Sequence, residues 1–244
     1  MIPSLLLVVL GGFGSFSGTG SAGGGSAPLR APIVAFYGDS LVQGVCSGTA
    51  PPVALDGLLR ADYVVINRGV SGETAHEIAE RVISGAATAC LGEPCGTYIL
   101  EGGVNTLKHG AFNEASTTTV VGVALNGDGG ADDAHDLGML DAADHLRATY
   151  PRAQVLAVGV LPYAGCTICG INPSPGARAA AYNAALVSAC ASRPWLTCLV
   201  PYDDFEDPQN ADRLLPAYAC EDGSHLINAG SAALAQEVYD AGTW

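Results

Sequence analysis

The stretch Ile33-Val34-Ala35-Phe36-Tyr37-Gly38-Asp39-Ser40-Leu41 reads as a buried strand that breaks abruptly into a polar turn. Five apolar residues in succession suit a strand covered on both faces. The run then breaks on a glycine, an acid and a hydroxyl. A serine here can sit on a sharp turn with its hydroxyl exposed. It can equally cap a helix, a position that Ser and Asp both favour. Taken alone, the two readings of Ser40 are even. The serine-hydrolase elbow G-x-S-x-G occurs nowhere in the chain, which removes the commonest alternative placement of a nucleophile.

Outward from this stretch, short apolar runs alternate with longer helical patterns. Residues 63–67, 97–101, 154–160 and 197–201 read as four more strands. Residues 75–84, 133–150, 177–191 and 229–241 read as helices, the second carrying Leu137, Leu140 and Leu146. Such alternation implies a parallel sheet with helices on both faces. In such sheets ligands bind beyond the carboxyl ends of the strands, so the loops after strands are where chemistry is expected.

Three of those loops carry suggestive residues. Asn67-Arg68-Gly69-Val70-Ser71-Gly72-Glu73-Thr74 follows the second strand. A glycine there lets a backbone N–H face an oxyanion with no side chain in the way; the plain reading is a strand-to-helix turn. Gly102-Gly103-Val104-Asn105-Thr106 follows the third. Its asparagine can offer an amide donor, although Asn is common in turns. Asp222-Gly223-Ser224-His225-Leu226 lies beyond the fifth. An Asp three residues before a His can fix the imidazole tautomer and stabilise the imidazolium; the plain reading is a polar loop capping the last helix. Asp132-Asp133-Ala134-His135 has the same form, but it sits in a polar stretch, 126–133, that reads as a flexible loop. His76, His109 and His145 lack a matching carboxylate and are expected at the surface.

Together and in this order, the four segments resemble the SGNH (GDSL) hydrolase family over about residues 33–232. The family's Ser, Gly, Asn and His markers fall on Ser40, Gly72, Asn105 and His225, with Asp222 as partner of the histidine. The third block departs from the family pattern: Thr106 stands where Asp usually follows the asparagine. That departure bears on a loop-stabilising contact and not on the oxyanion donor. The resemblance implies a three-layer α/β/α sandwich, flavodoxin-like, with about five parallel strands. It implies ester or thioester hydrolysis without a metal or organic cofactor. Ser40, Asp222 and His225 would form the triad. The N–H groups of Ser40 and Gly72 and the Asn105 side chain would form the oxyanion hole. The expected substrates are carboxylic esters of small to medium acyl chains. A carbohydrate O-acetyl esterase is the alternative, and a catalytically silent binding protein the reading from another class.

Composition narrows the partners. The chain has 244 residues and a net charge of −14, with 24 acidic and 10 basic residues. That is enough for one well-packed domain. The acidity argues against nucleic acid, which needs a basic footprint, and against anionic membrane surfaces. Neutral or cationic substrates fit the long-range field better. No run of apolar residues is long enough to span a membrane, and a monomer is expected. Residues 1–30, with an apolar core at 5–10 and a Gly/Ser-rich continuation, read as a signal-like or flexible leader, although no basic residue precedes Arg30. Residues 31–244 read as the catalytic domain.

The eight cysteines suit an oxidising compartment and a secreted or otherwise extracytoplasmic protein. Their pairing is open in principle. Short spacings favour Cys90–Cys95, Cys166–Cys169 and Cys190–Cys198, and Cys46–Cys220 is then the long-range bridge. Cys166-Thr167-Ile168-Cys169 also has the form of a redox or zinc pair, but zinc wants a second pair at ligand spacing and none is present. If the resemblance brings Ser40 to His225, Cys46 and Cys220 must also lie near each other and staple the two halves of the site.

Overall fold

The structure, a computed structural model, describes residues 32–85, 89–90, 93–108, 116–128, 136–163 and 175–244. The leader, His109, the segment 132–135 and the Cys166–Cys169 pair lie outside the described residues.

One sheet has five strands: β1 (Ile33–Gly38), β2 (Val64–Gly69), β3 (Thr97–Glu101), β4 (Gln154–Val158) and β5 (Leu196–Leu199). Their spatial order is β2-β1-β3-β4-β5, and every neighbouring pair is parallel. This is the flavodoxin-like order, with its switch point between β1 and β3. The helices among the described residues are, in chain order, α1 (Ser40–Gln43), α2 (Pro51–Leu59), α3 (Ala75–Ile83), α4 (Val104–Lys108), α5 (Thr117–Asn126), α6 (Met139–Thr149), α7 (Pro175–Ala191), α8 (Tyr202–Phe205) and α9 (Asn228–Ala241).

Side chains alternate across the strands and fill two cores. Val34, Phe36, Ile99, Leu156 and Val158 face α1, α2, α8 and α9. Ala35, Tyr37, Tyr98, Leu100, Val155 and Ala157 face α3 to α7. Both sets are buried, which is why the strands read as continuous apolar runs rather than alternating ones. The result is a three-layer α/β/α sandwich. Among the described residues, no helix is long and apolar enough to cross a membrane.

Local chemistry explains the element ends. Thr74 accepts from the Glu77 N–H, and the Glu77 carboxylate accepts from the Thr74 N–H, so a capping box opens α3. Ala75, Ile78, Ala79 and Val82 then repeat at helical spacing and are all buried. The helix expected over 133–150 begins only at Met139, where the Gly138 N–H donates to Asp141. Of the helices that the sequence reading does not name, α2 and α5 are the two longest. α2 starts on Pro51 and Pro52, which suit a first helical turn because proline has no N–H to leave unpaired there. α5 opens on Thr117-Thr118-Thr119-Val120-Val121, a β-branched run of low helix propensity, made helical by a Ser116 cap and by burial of Val120, Val121, Val123, Ala124 and Leu125.

Candidate active site

Ser40 stands where β1 ends. Asp39 is the N-cap of α1, its side chain accepting the Leu41 N–H at 3.0 Å. Ser40 is therefore the first helical residue and not the cap. Its hydroxyl is left for another partner. Gly38 is required just before it: a Cβ there would lie 2.4 Å from Val42 Cγ2 and 2.9 Å from the Glu101 carbonyl oxygen.

The partner is His225. The Ser40 hydroxyl donates to His225 Nε2 at 2.7 Å, across 185 positions of sequence. On the other side of the ring, Nδ1 lies 2.5 Å from Asp222 Oδ2. Asp222 Oδ1 also accepts the N–H groups of Ser224 and His225 at 2.9 and 3.0 Å. Partial burial acts to raise the Asp222 pKa, but the hydrogen bonds from His225 and these N–H groups outweigh it and hold the carboxyl below its usual range. An ionised Asp222 accepts a hydrogen bond from Nδ1–H, which keeps the proton on Nδ1 and leaves Nε2 as the acceptor for the serine. The segment bearing this pair is a tight loop, closed by the Cys220 N–H to the His225 carbonyl oxygen at 2.7 Å and by an antiparallel bridge of Ala219 with Leu226.

The loop also has a covalent tie. Cys46 and Cys220 are bridged, with Cα atoms 6.2 Å apart. Around the bridge, Asn228 Oδ1 accepts from the Ser47 hydroxyl and the Thr49 N–H. The chain just past α1 is thus fastened to the chain entering α9. Cys90–Cys95 and Cys190–Cys198 are the other two bridges among the described residues.

Asn105 is the second residue of α4. Its side-chain amide donates to the Glu73 carbonyl oxygen at 2.8 Å and, at a longer 3.3 Å, to Asp39 Oδ2. Thr106 is buried and accepts the Ala75 N–H at 2.9 Å. The hydroxyl thus supplies a contact tying the loop after β3 to the start of α3, so the departure from the family pattern leaves that loop anchored. Ser40, Asn105 and His225 line one cavity of about 60 Å³, together with Leu41, Val104, Lys108, Val160, Leu161, Pro162, Tyr163 and Ser224. Gly72 is exposed and is not among the lining residues. It sits in the Val70–Glu73 turn with φ at +88°, the left-handed region that favours glycine. The residue after it, Glu73, is the one that holds Asn105.

Two acids behind the serine were missed in the sequence, since a carboxylate at a strand end reads as an exposed residue. Asp39 and Glu101 are both fully buried. Burial pushes the Asp39 carboxyl up to about 6, against the pull of the Leu41 N–H, Lys108 and His225. Burial, and then the charge of Asp39, push Glu101 well above the usual range. Neither Glu101 oxygen has a hydrogen-bond partner of good geometry, although the Asp39 N–H acts weakly in favour of its charged form. A folded-state pKa above the unfolded one means that the native state binds more protons. These groups therefore lose stability for the fold as pH rises from about 4 through 6 and beyond. Glu101→Gln is expected to stabilise the protein by about 1–3 kcal/mol at pH 8 and by much less at pH 5. Thermal unfolding of both proteins at the two pH values checks this; a gap independent of pH would contradict it.

The histidines outside the loop differ from expectation. His76 is not an unpartnered surface residue: Nδ1 lies 2.8 Å from Asp136 Oδ1, and the side chain is mostly buried. The partner is sixty positions away and arrives through packing of α3 against α6, so no local pattern announces it. His145 is half-buried and 3.4 Å from the Thr149 hydroxyl. The one cluster of metal-ligating residue types among the described residues joins Cys46, Cys220 and Asp222. Both sulfurs are spent in the disulfide and Asp222 is spent on His225.

The model of the GDSL-like lipase/acylhydrolase family matches residues 36–233 of this chain. No curated protein sequence matches it. Among solved structures, it is similar to one described as a platelet activating factor from Streptococcus pneumonia, at 17% identity and a TM-score of 0.60, covering 88% of this chain and 86% of that one. A lipase from a goat rumen metagenome is similar at 15% identity and a TM-score of 0.60, over 86% of this chain and 97% of that one. A carbohydrate acetylesterase family member from Sinorhizobium meliloti is similar at 15% identity and a TM-score of 0.56, over 86% and 96%. At these identities the likeness speaks to the fold.

Proposed function

Because this chain belongs to the GDSL-like lipase/acylhydrolase family, we propose that it is a serine esterase with Ser40 as nucleophile, His225 as base and Asp222 as the residue that orients the base. The observation that carries this reading is the 2.7 Å hydrogen bond from the Ser40 hydroxyl to His225 Nε2, with Asp222 on the far ring nitrogen.

In this mechanism Ser40 Oγ attacks the ester carbonyl carbon while its proton passes to Nε2. The oxyanion that forms is met by the N–H groups of Ser40 and Gly72 and by the Asn105 amide. Asn105 takes part by exchanging its long bond to Asp39 for one to the oxyanion. One such donor is typically worth about 2.7–4 kcal/mol in the transition state. Collapse breaks the ester C–O bond, and the alcohol leaves with the proton held on His225. Water then attacks the acyl-serine and gives a proton to His225, which passes it to Ser40 Oγ as the acyl C–O bond breaks and the acid is released.

The small cavity over Ser40 favours short acyl chains, since pockets for drug-sized ligands run to several hundred cubic ångströms (roughly 300–1,000 Å³). The same reading puts the protein in an oxidising compartment outside the cytoplasm, as its three described disulfides suit. The test is hydrolysis of p-nitrophenyl esters from acetate to palmitate, beside acetate release from acetylated xylan and labelling by a fluorophosphonate. Acetate and butyrate are expected to be cleaved at least about tenfold faster than chains too long for the cavity, with the label on Ser40. Faster release of acetate from xylan would favour the carbohydrate O-acetyl esterase. No cleavage and no label would favour a binding protein.

A further inference from the structure

Lys108 is the sole lysine of the chain. It ends α4, three residues after Asn105. That spacing puts two helical side chains on one face, and both line the cavity that holds Ser40 and His225. The ammonium lies 4.5 Å from the centre of the Tyr163 ring, another wall of the same cavity. A largely buried ammonium is normally paired with a carboxylate. Among the described residues, none lies within ion-pair distance of Lys108. The two acids that act on it through space, Asp39 and Asp222, are engaged elsewhere, Asp39 by the Leu41 N–H and Asn105, Asp222 by His225. Burial draws its pKa below the usual lysine range, with those two acids pulling the other way. The Tyr163 hydroxyl is also buried and has no hydrogen-bond partner. One wall of the cavity therefore holds a cation that rests on an aromatic ring and, among the described residues, has no carboxylate partner.

We infer that Lys108, held over the Tyr163 ring, receives a carboxylate of the substrate, so that the preferred ester carries an anionic group close to its scissile carbonyl. This rests on the esterase reading of Ser40 and names the substrate class of the same site. It runs against the net charge, which repels anions at long range. That repulsion is screened beyond about 8 Å at physiological salt, whereas Lys108 acts at contact. The charge can sit on the acyl or on the alcohol side, and two pairs of esters distinguish them.

The test compares kcat/KM in a pH-stat for monomethyl succinate against methyl butyrate, and for O-acetyllactate against O-acetyllactamide. In one pair the anionic ester is expected to be preferred about 10- to 100-fold, the worth of one charge-assisted hydrogen bond. Lys108→Met, which keeps the apolar stem over Tyr163, is expected to lower that ratio by a similar factor, and Lys108→Arg to retain most of it. Succinate is expected to inhibit the wild-type protein more strongly than succinamide, a measurement that needs no variant. Cleavage of the neutral esters with no anionic preference, or a ratio unchanged in Lys108→Met, would overturn the inference and leave the esterase reading standing. Cleavage of none of the four esters would overturn both.

Discussion

Ser40→Ala lowers kcat on p-nitrophenyl acetate by about 10⁴- to 10⁶-fold if Ser40 forms the acyl-enzyme, because no neighbouring group can take its place at the reacting carbon. His225→Ala is expected to cost about as much, and the double variant little more, since the two act as one unit. The fold should hardly notice the first change. Ser40 is 7% exposed, and the alanine removes one oxygen from a site whose other member, His225, keeps a side chain 23% open to solvent. Water can then satisfy Nε2. Thermal unfolding within about 1 kcal/mol of the wild type, beside a steady-state assay, separates lost chemistry from lost structure. Activity within tenfold of the wild type in Ser40→Ala would end the serine mechanism.

Removing the Cys46–Cys220 bridge by Cys46→Ser with Cys220→Ser is expected to cost about 2–5 kcal/mol of stability. At this chain length that corresponds to a melting temperature lower by roughly 5–15 °C. The bridge spans 174 positions, so its main effect falls on the unfolded chain, which loses more freedom the longer the loop that is closed. In the folded protein the hydrogen bonds of Asn228 to Ser47 and Thr49 still join the same two segments. The variant should therefore fold and keep its overall geometry. Its activity should nevertheless fall by about 10- to 100-fold, because Cys220 lies two residues before Asp222 and a looser loop misplaces His225 against Ser40. Calorimetry and kcat/KM on one short-chain ester check both effects. A melting temperature within about 2 °C of the wild type would show that the hydrogen bonds alone hold the segments together.

The sheet was legible because its strands are short apolar runs bounded by breakers, and β3 coincides with the expected run at 97–101. β2 and β5 begin within a residue of the expected positions. α2 and α5 were not legible, because their residues have a poor intrinsic helix tendency and take it from packing. The candidate site divides in the same way. Ser40, Asn105, Asp222 and His225 stand out as polar residues just past the points where an apolar run stops. Asp39 and Glu101 do not, since nothing local says that a carboxylate will be buried. Nor does Lys108, whose position in the cavity follows from the one turn of α4 and from Tyr163, fifty-five positions away.

The alternation of strands and helices, and the segments that carry reactive groups, follow from the residues alone. Both are written in runs of a few residues, where apolar period, glycine and capping act locally. The strand order β2-β1-β3-β4-β5, the 2.7 Å approach of Ser40 to His225, the pairing of His76 with Asp136 and the cation on the cavity wall come from the folded arrangement. Each of these joins residues far apart in the chain. Such contacts form because two apolar faces of one sheet must both be covered at once, a condition on the whole chain that no short segment carries.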